Sequence, residues 1–351
     1  MILSDLGYMG DDDNFLVEGF TVGRVMQEHR ERYVVSDGEE EYDCEITGNL
    51  RFTANKRADF PAVGDWVTIT VYDSNMGIIH KVLPRKSILE RQTVGKFGEK
   101  QIISTNIDVA LIIQSIDNNF NINRMERYLT ICYSSSIEPV LVISKIDLVT
   151  EDTIESALNG LGHREKTVKT IFISNTSLKG LDQILNLLQK GKTYCVIGSS
   201  GVGKSTLINN LLKKNIIKTG SISESTNKGR HITSHRELFV LANGAIIIDT
   251  PGMKELGIIE NEEGIKTTFE EIFSLSLKCK FPDCTHTMES GCAIVEAVEN
   301  GKIETETLEN FRKIQREQMR FQTSIAEKRK KEKEFGKMAK EIMKEKKKNK
   351  Y

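Results

Sequence analysis

A glycine-rich segment near the middle of the chain limits the possible folds more than any other feature. It matches the pattern G-x-x-x-x-G-K-[ST] and reads Gly198, Ser199, Ser200, Gly201, Val202, Gly203, Lys204, Ser205 and Thr206. The apolar run Tyr194–Ile197 precedes it, and the helical pattern Leu207–Leu212 follows it. This context predicts a loop whose backbone N–H groups, together with the dipole of the following helix, bind phosphate. We expect Lys204 to reach the β- and γ-phosphates of a nucleotide and Ser205 to bind Mg²⁺.

A second phosphate-side motif, Asp249-Thr250-Pro251-Gly252, ends the apolar run Ile246–Ile248. A carboxylate at this strand tip can hold Mg²⁺ through water, and the N–H of Gly252 can contact the γ-phosphate. Following a phosphate-binding loop, this motif indicates an NTPase. Ras-like enzymes place a water-orienting Gln directly after such a Gly, whereas this chain has Met253. Since Met cannot orient water, we predict slow intrinsic hydrolysis.

The tetrapeptide Ser144-Lys145-Ile146-Asp147 follows the apolar run Val140–Ile143 and resembles the guanine-specificity motif N-K-x-D. The carboxylate of Asp147 can accept hydrogen bonds from both N1–H and the 2-amino group of guanine. Adenine lacks that pair of donors, so the motif predicts a preference for GTP over ATP. We expect the stem of Lys145 to lie along the base. Ser144 replaces the usual Asn and reaches less far.

A further polar turn, Ser174-Asn175, follows Ile171–Ile173 in the place of a second base-binding loop. Ser-Ala is usual there, so Asn175 is another departure. Backbone N–H groups do most of the work of such a loop, and the change is therefore compatible with base binding.

The stretch between the phosphate loop and Asp249 carries candidate switch residues. Thr233 is the predicted Mg²⁺ ligand in the GTP-bound state, with Ser234 as second choice. His231 is the candidate for orienting the attacking water in place of Gln, as a catalytic residue beside Lys204. The alternative is that this stretch is an ordinary basic loop.

The order of these motifs is unusual. In Ras-like GTPases the phosphate loop comes first and the base-reading loops last, whereas here Asp147 and Ser174 precede Gly198 and Asp249 follows it. Strand ends meet at one edge of an α/β sheet whatever their order along the chain. The sequence therefore predicts a circularly permuted P-loop GTPase domain with its pocket preserved.

Near the C-terminus, Cys279, Cys284, His286 and Cys292 supply three thiolates and one imidazole within fourteen residues. This Cys₃His set suits a closed tetrahedral Zn²⁺ site, and a closed site is structural. The cytosolic setting that we expect disfavours disulfides. Unliganded thiols are the alternative.

The regions around these motifs define the predicted domains, which are an N-terminal β-barrel of OB type (1–90), the permuted α/β GTPase domain (91–258) and a helical zinc domain with a basic C-terminal helix (259–351). The barrel is predicted from five short β-like runs, Phe20–Val25, Tyr33–Ser36, Tyr42–Ile46, Trp66–Tyr72 and Gly77–Leu83. An SH3-like barrel is an alternative fold. Such barrels often bind RNA, and a spacer role is the alternative function.

Charge is distributed unevenly along the chain. The formal net charge is -1, yet residues 306–351 contain sixteen Lys or Arg and eight Asp or Glu. A basic tail on an acidic body indicates a polyanionic partner, although a solvated helix is the plain alternative. The sequence contains neither an apolar run of membrane-spanning length nor a secretory signal pattern, so we expect a cytoplasmic protein with no membrane partner.

Together these motifs resemble the ribosome-small-subunit-dependent GTPases, a bacterial circularly permuted family, over nearly the whole chain. Gly229-Arg230-His231 followed by Thr233 is similar to the family's switch motif, with Ile232 where Thr is usual. The resemblance implies late maturation of the 30S ribosomal subunit, binding of 16S rRNA near the decoding region, and 30S-stimulated hydrolysis of GTP to GDP by a monomer. The alternatives are a nucleotide-gated RNA-binding module and an ATP-dependent kinase, and Asp147 disfavours the kinase.

Overall fold

The computed structural model describes residues 2–10, 19–29, 32–54, 56–73, 75–92, 100–117, 120–162, 164–214, 217, 236–250, 262–320 and 322–323. The chain forms two compact units, Met1–Glu90 with Gln101–Leu256, and Arg91–Lys100 with Gly257–Tyr351. The finer division at residues 90 and 258 stays a prediction.

The elements follow the expected succession of a β-rich segment, an α/β segment and a helical segment. The strands are β1 (Thr21–His29), β2 (Arg32–Ser36), β3 (Glu41–Ile46), β4 (Trp66–Asp73), β5 (Met76–Val82), β6 (Ile88–Gln92), β7 (Lys100–Thr105), β8 (Val109–Ser115), β9 (Glu138–Ser144), β10 (Thr170–Phe172), β11 (Thr193–Gly198), β12 (Glu237–Val240) and β13 (Ile246–Asp249). The helices are α1 (Gly48–Thr53), α2 (Ile122–Ser134), α3 (Glu151–Leu161), α4 (Arg164–Thr167), α5 (Leu181–Leu187), α6 (Lys204–Leu212), α7 (Glu262–Thr268), α8 (Glu270–Ser276), α9 (Ala293–Glu299) and α10 (305–320).

The first five strands close into the predicted barrel. Their order is β1-β2-β3-β5-β4, and β4 pairs back with β1. The pair β3–β5 is parallel and α1 lies between β3 and β4, so the barrel is of the OB type. Strand β3 alternates exposed and buried side chains, as a strand with one face on a core must. The barrel core consists of Val25, Tyr33, Val35, Tyr42, Cys44, Ile46, Val67, Ile69 and Ile79.

The GTPase sheet has the order β10-β9-β8-β11-β13-β12. All neighbours are parallel except the hairpin β12–β13. Every residue of β8 and β11 is buried, which explains their continuous apolar sequences. The strand β11, which leads into the phosphate loop, lies between β8, which precedes it in the chain, and β13, which follows it. The structure thus confirms the circularly permuted fold.

Three local features differ from the sequence predictions. The two-stranded sheet β6–β7 was not predicted. Strand β1 continues four residues beyond its predicted end at Val25, through a register shift between Val25 and Gln27. Its extended end pairs with β12, and this long-range contact had no local signal.

The second unit packs its helices around Phe311. The rings of Phe269 and Phe273 lie 5.4 and 5.5 Å from that of Phe311, centroid to centroid. Helix α10 buries Phe311, Ile314 and Gln318 on one face, whereas Met319 is 61% exposed. At 100° per residue, position 318 returns to the face of 311 and 314, while 319 turns away from it. The described helices include none that is long and apolar enough to cross a membrane.

Candidate functional site

The phosphate loop connects β11 to α6 and depends on two glycines for its shape. Gly198 has a φ of 151°, and a Cβ there would lie 2.3 Å from the carbonyl oxygen of Ile113. Gly203 has a φ of 95° and precedes the first residue of α6. Both positions therefore need glycine. Of the residues between them, Val202 is buried, whereas Ser200 and Gly201 are exposed.

Lys204 lies across its own loop. Its Nζ donates to the carbonyl oxygens of Gly198 at 2.8 Å and Ser199 at 2.6 Å. Ser205 and Thr206 follow in the first turn of α6 and are partly exposed. The loop thus presents an ammonium group and a helix N-terminus together, an arrangement that can bind an anion.

Asp249 ends β13 next to the phosphate loop. It lies opposite Val196 of β11 and is 7% exposed. Burial raises the pKa of Asp249 to about 6, with the charge of Lys204 opposing this shift and that of Glu237 adding to it. The hydroxyl of the next residue, Thr250, donates to the carbonyl of Val196 at 2.6 Å. Asp249 can thus offer a carboxylate oxygen to a cation at the loop.

Ser144 is fully buried at the end of β9, and its hydroxyl points to the phosphate loop. Ser144 Oγ lies 2.7 Å from the carbonyl oxygen of Val202 and 3.2 Å from that of Gln114. Its short side chain therefore ties the first base loop to the phosphate loop. Asp147 stands exposed in a single 3-10 turn, Ile146–Leu148, that buried Ile146 anchors.

Lys145 has a carboxylate partner that was missed in the sequence. Its backbone is left-handed, with a φ of 64°. Its Nζ lies 2.9 Å from Asp117 Oδ2, and Asp117 Oδ1 accepts from Ser115 Oγ at 2.7 Å. A signal was present, since Asp117 follows apolar β8 much as Asp147 follows β9.

The second base loop also contacts the phosphate loop. Asn175 Nδ2 donates to the carbonyl oxygen of Gly203 at 3.1 Å, and Asn210 Nδ2 of α6 donates to that of Asn175 at 3.1 Å. Ser174 Oγ accepts from the N–H of Thr176 at 3.3 Å and of Ser177 at 3.1 Å, so it shapes its own turn. The two residues that depart from the usual motifs, Ser144 and Asn175, thus both bind the phosphate loop.

The site and switch positions His231, Thr233, Ser234, Gly252 and Met253 lie outside the described residues. The remaining positions meet at one edge of the sheet. There a phosphate loop adjoins a buried carboxylate and a loop with an exposed carboxylate, an arrangement that can bind a nucleotide through its phosphates and its base.

The cysteine cluster of the second unit forms a separate candidate metal centre. The ligand atoms of Cys279, Cys284, His286 and Cys292 all lie within 4.8 Å of one another. The Nδ1 atom of His286 is 3.6 Å from both Cys279 Sγ and Cys292 Sγ, which are 3.9 Å apart. Burial lowers the pKa of His286, which favours the neutral ring that a metal requires.

Two residues that were not predicted hold the loop of this cluster. Glu289 accepts from the hydroxyl of Thr285 and from the N–H groups of Thr285 and Thr287, both at 2.8 Å. These hydrogen bonds hold the pKa of Glu289 below its usual range, and the one from the Thr285 hydroxyl contributes most. Arg312 of α10 donates to the carbonyl of His286, whose φ is 58°. The loop is therefore braced from its own turn and from a helix.

Comparison with known proteins gives consistent matches. A family model described as RsgA GTPase matches residues 82–259, and one described as 50S ribosome-binding GTPase matches residues 193–333. The "small ribosomal subunit biogenesis GTPase RsgA 2" of Lactiplantibacillus plantarum is 44% identical over 85% of this chain and 84% of its own. The corresponding RsgA 1 of Bacteroides thetaiotaomicron is 39% identical over 92% of this chain and 90% of its own.

Solved structures agree with these matches. YjeQ from Thermotoga maritima has a TM-score of 0.63 and 28% identity, over 84% of this chain and 97% of its own. YloQ, whose structure is titled a circularly permuted GTPase, has a TM-score of 0.60 and 24% identity over 89% and 96%, and it supports the fold alone. The chain therefore belongs to the RsgA GTPase family and is a GTP hydrolase.

Proposed function

We propose that this chain binds the 30S ribosomal subunit through 16S rRNA, acts in the late maturation of that subunit, and hydrolyses GTP to GDP and phosphate when the subunit stimulates it. The observation that carries the proposal is the 44% identity, over 85% of the chain, to a protein named for small ribosomal subunit biogenesis. The site geometry agrees with it, because one sheet edge brings together a phosphate loop and a guanine-type base loop.

The nucleotide is held from its two ends. Gly198–Thr206 surround the phosphates, and Lys204 exchanges its contacts with the loop carbonyls for phosphate oxygens. Ser144–Asp147 form the base loop, in which Asp147 accepts from guanine and Lys145 lies along the ring. Ser174 and Asn175 close the second side of the base.

Hydrolysis is an in-line attack of water on the γ-phosphorus, with cleavage of the bond to the β-phosphate bridging oxygen. Ser205, Thr233 and Asp249 would hold Mg²⁺, which prefers oxygen donors of this kind and would neutralise charge on the β- and γ-phosphates. Gly252 contacts the γ-phosphate through its N–H, and His231 orients the water, because Met253 cannot.

The Cys₃His cluster holds one structural Zn²⁺. With Zn–S bonds of about 2.3 Å and Zn–N bonds of about 2.05 Å, a tetrahedral site separates two sulfurs by about 3.8 Å and a sulfur from a nitrogen by about 3.6 Å. The separations of 3.9 Å between Cys279 and Cys292 and of 3.6 Å from each to His286 support this assignment.

The experiment is a titration of GTP turnover with purified 30S, 50S and 70S particles. We expect 30S subunits to raise the rate at least about a hundredfold, within the range that a supplied or ordered catalytic group provides. Stimulation by 50S subunits alone would move the proposed partner to the large subunit. Turnover unchanged by any particle at low salt would favour a nucleotide-gated RNA-binding module.

A further inference from the structure

The barrel and the GTPase sheet meet edge to edge. Strand β1 of the barrel pairs antiparallel with β12, so that the barrel strands continue the GTPase sheet. Among the described residues, the pairing places Gln27 opposite Glu237. Side chains of both partners add polar contacts to this backbone pairing.

Two polar side-chain contacts lie at the joint. Gln27 Nε2 donates to Glu237 Oε1 at 2.6 Å. Arg236 Nη1 lies 3.5 Å from Glu28 Oε2, and both side chains are largely buried, with 15% and 13% exposed. Arg236 Nη1 also donates to the carbonyl oxygen of Ile102 at 3.1 Å. The contacts to Gln27 and Glu28 hold the start of β12 and the residue before it against the barrel.

The joint leads directly to the nucleotide site. Glu237 lies opposite Asp249 in the hairpin β12–β13. Residues opposite each other in an antiparallel pair share a face and lie about 5 Å apart. Asp249 in turn lies opposite Val196 of β11, two residues before the phosphate loop. A single residue, Glu237, therefore separates Gln27 of the barrel from Asp249 at the nucleotide site.

We propose that Gln27 and Glu28 of the barrel are positioning residues for GTP hydrolysis, acting through Glu237 and Arg236 on the strand end that carries Asp249. Neither residue touches the nucleotide. They fix where β12 begins, and thereby where the tip of β13 lies relative to the phosphate loop. A misplacement of about 1 Å at a reacting centre can reduce a rate by orders of magnitude, so loosening this joint slows the chemical step. The inference concerns the hydrolysis itself and does not depend on the ribosomal partner.

The test is single-turnover GTP hydrolysis by the full chain without ribosomal particles. Glu28→Gln, Arg236→Gln and the double variant each remove the buried ion pair. We expect the hydrolysis rate to fall at least about fivefold, within the range seen for changes that alter coupling without ligand contact, while the GTP Kd stays within about twofold. Because both substitutions break one contact, the double variant should be no slower than the slower single variant.

Two controls isolate the joint. Arg57 is the other partner of Glu28, at 2.9 Å, and is 53% exposed. Arg32 pairs with Glu45 at 3.5 Å on the same barrel and is 80% exposed. Arg32→Gln should keep the rate within about twofold of the parent, since an exposed pair contributes little. Arg57→Gln leaves the contact between Arg236 and Glu28 in place and should also keep the rate within about twofold. Arg236→Lys keeps the charge and should recover part of the rate.

Three outcomes would overturn the proposal. The first is a wild-type rate in Glu28→Gln and Arg236→Gln, or a reduction equal to that of the two controls. The second is a multiplicative reduction in the double variant, which would mean that the residues act separately. The third is a weakening of GTP affinity that accounts for the whole reduction, because the joint would then shape binding and not hydrolysis. All rates are compared well below the lowest melting temperature of the set, so that unfolding does not contribute.

Discussion

Single side chains connect the two base loops to the phosphate loop. Ser144 reaches the carbonyl of Val202 and Asn175 reaches that of Gly203. Both carbonyls belong to the loop that surrounds the phosphates, so base loops and phosphate loop are held in one arrangement. Preorganisation of this kind raises affinity because less order has to be imposed on binding.

Ser144→Ala should weaken GDP and GTP binding about fivefold to tenfold. The substitution leaves the buried carbonyl of Val202 without its Ser144 donor, and the loss of one such hydrogen bond costs about 1 kcal/mol. Calorimetric titration with each nucleotide measures the effect. Ser156→Ala, at an exposed position of α3, is the control and should bind normally. Equal nucleotide affinities for the two variants would contradict the role of the hydrogen bond between Ser144 and Val202.

Asp147→Asn should reduce GTP affinity at least about tenfold, or about 1.4 kcal/mol, with the fold intact. The amide cannot accept from both guanine donors. It can donate to the 2-carbonyl of xanthine, so XTP affinity should rise in the same variant. In the parent chain, GTP should bind at least about tenfold more tightly than ATP. Equal GTP and ATP affinities in the parent chain would show that Asp147 does not select the base.

Nucleotide binding with Mg²⁺ should weaken as the pH falls through about 6. Burial raises the pKa of Asp249 to about 6, so the carboxyl is ionised above that pH and protonated below it. A metal must displace the proton, and its affinity should fall up to about tenfold per pH unit below 6. The terminal phosphate titrates nearby, with a second pKa of about 6. The Asp249→Asn variant lacks the carboxyl, so its pH profile shows the effect of the phosphate alone and serves as the reference. A variant profile identical to the parent's would contradict the prediction.

At the scale of elements, the loop that carries the cysteine cluster consists of turns and bends between α8 and α9. Side-chain contacts hold it in place. Glu289 and Arg312 brace the turn that carries His286, and Cys292 caps α9 through its sulfur, 3.5 Å from the N–H of Val295. A metal at this point would connect the turn to the start of a helix.

Cys284→Ala should abolish binding of the proposed Zn²⁺ and unfold the second unit, while GTP binding stays near normal. Metal binding and folding of such a loop are one equilibrium, and the described residues of the nucleotide site lie in the first unit. Elemental analysis gives the zinc content, and proteolysis reports the unfolding. Cys44→Ala changes a buried thiol of the barrel core and should keep one zinc per chain. A zinc-free parent protein, purified without chelator, would refute the assignment.

At the scale of the whole molecule, charge is the dominant asymmetry. Residues 327–351 contain twelve Lys or Arg and five Asp or Glu, although the chain as a whole has a net charge of -1. Contacts of cations with phosphates release counterions, so binding to rRNA should weaken steeply with salt.

Removing residues after Ala326 should weaken 30S binding and flatten its salt dependence, with the basal GTPase rate unchanged. The slope of log K against log salt should become shallower by about 0.9 for each phosphate that the tail neutralises in the parent protein. Replacing Lys346, Lys347, Lys348 and Lys350 by Gln should produce an intermediate slope. An unchanged slope in the truncated protein would show that the tail does not bind the subunit.

The sequence by itself determined most of the strands, the phosphate loop, the permuted order and the Cys₃His set. These depend on apolar runs and on spacings within about fifteen residues, which local geometry converts directly into structure. Only the tertiary structure decided what Ser144 and Asn175 contact and how the barrel joins the GTPase sheet. Their partners lie 58 and 28 residues away, and Gln27 and Glu237 are 210 residues apart. Contacts over such separations follow from sheet order and packing, which no local pattern encodes.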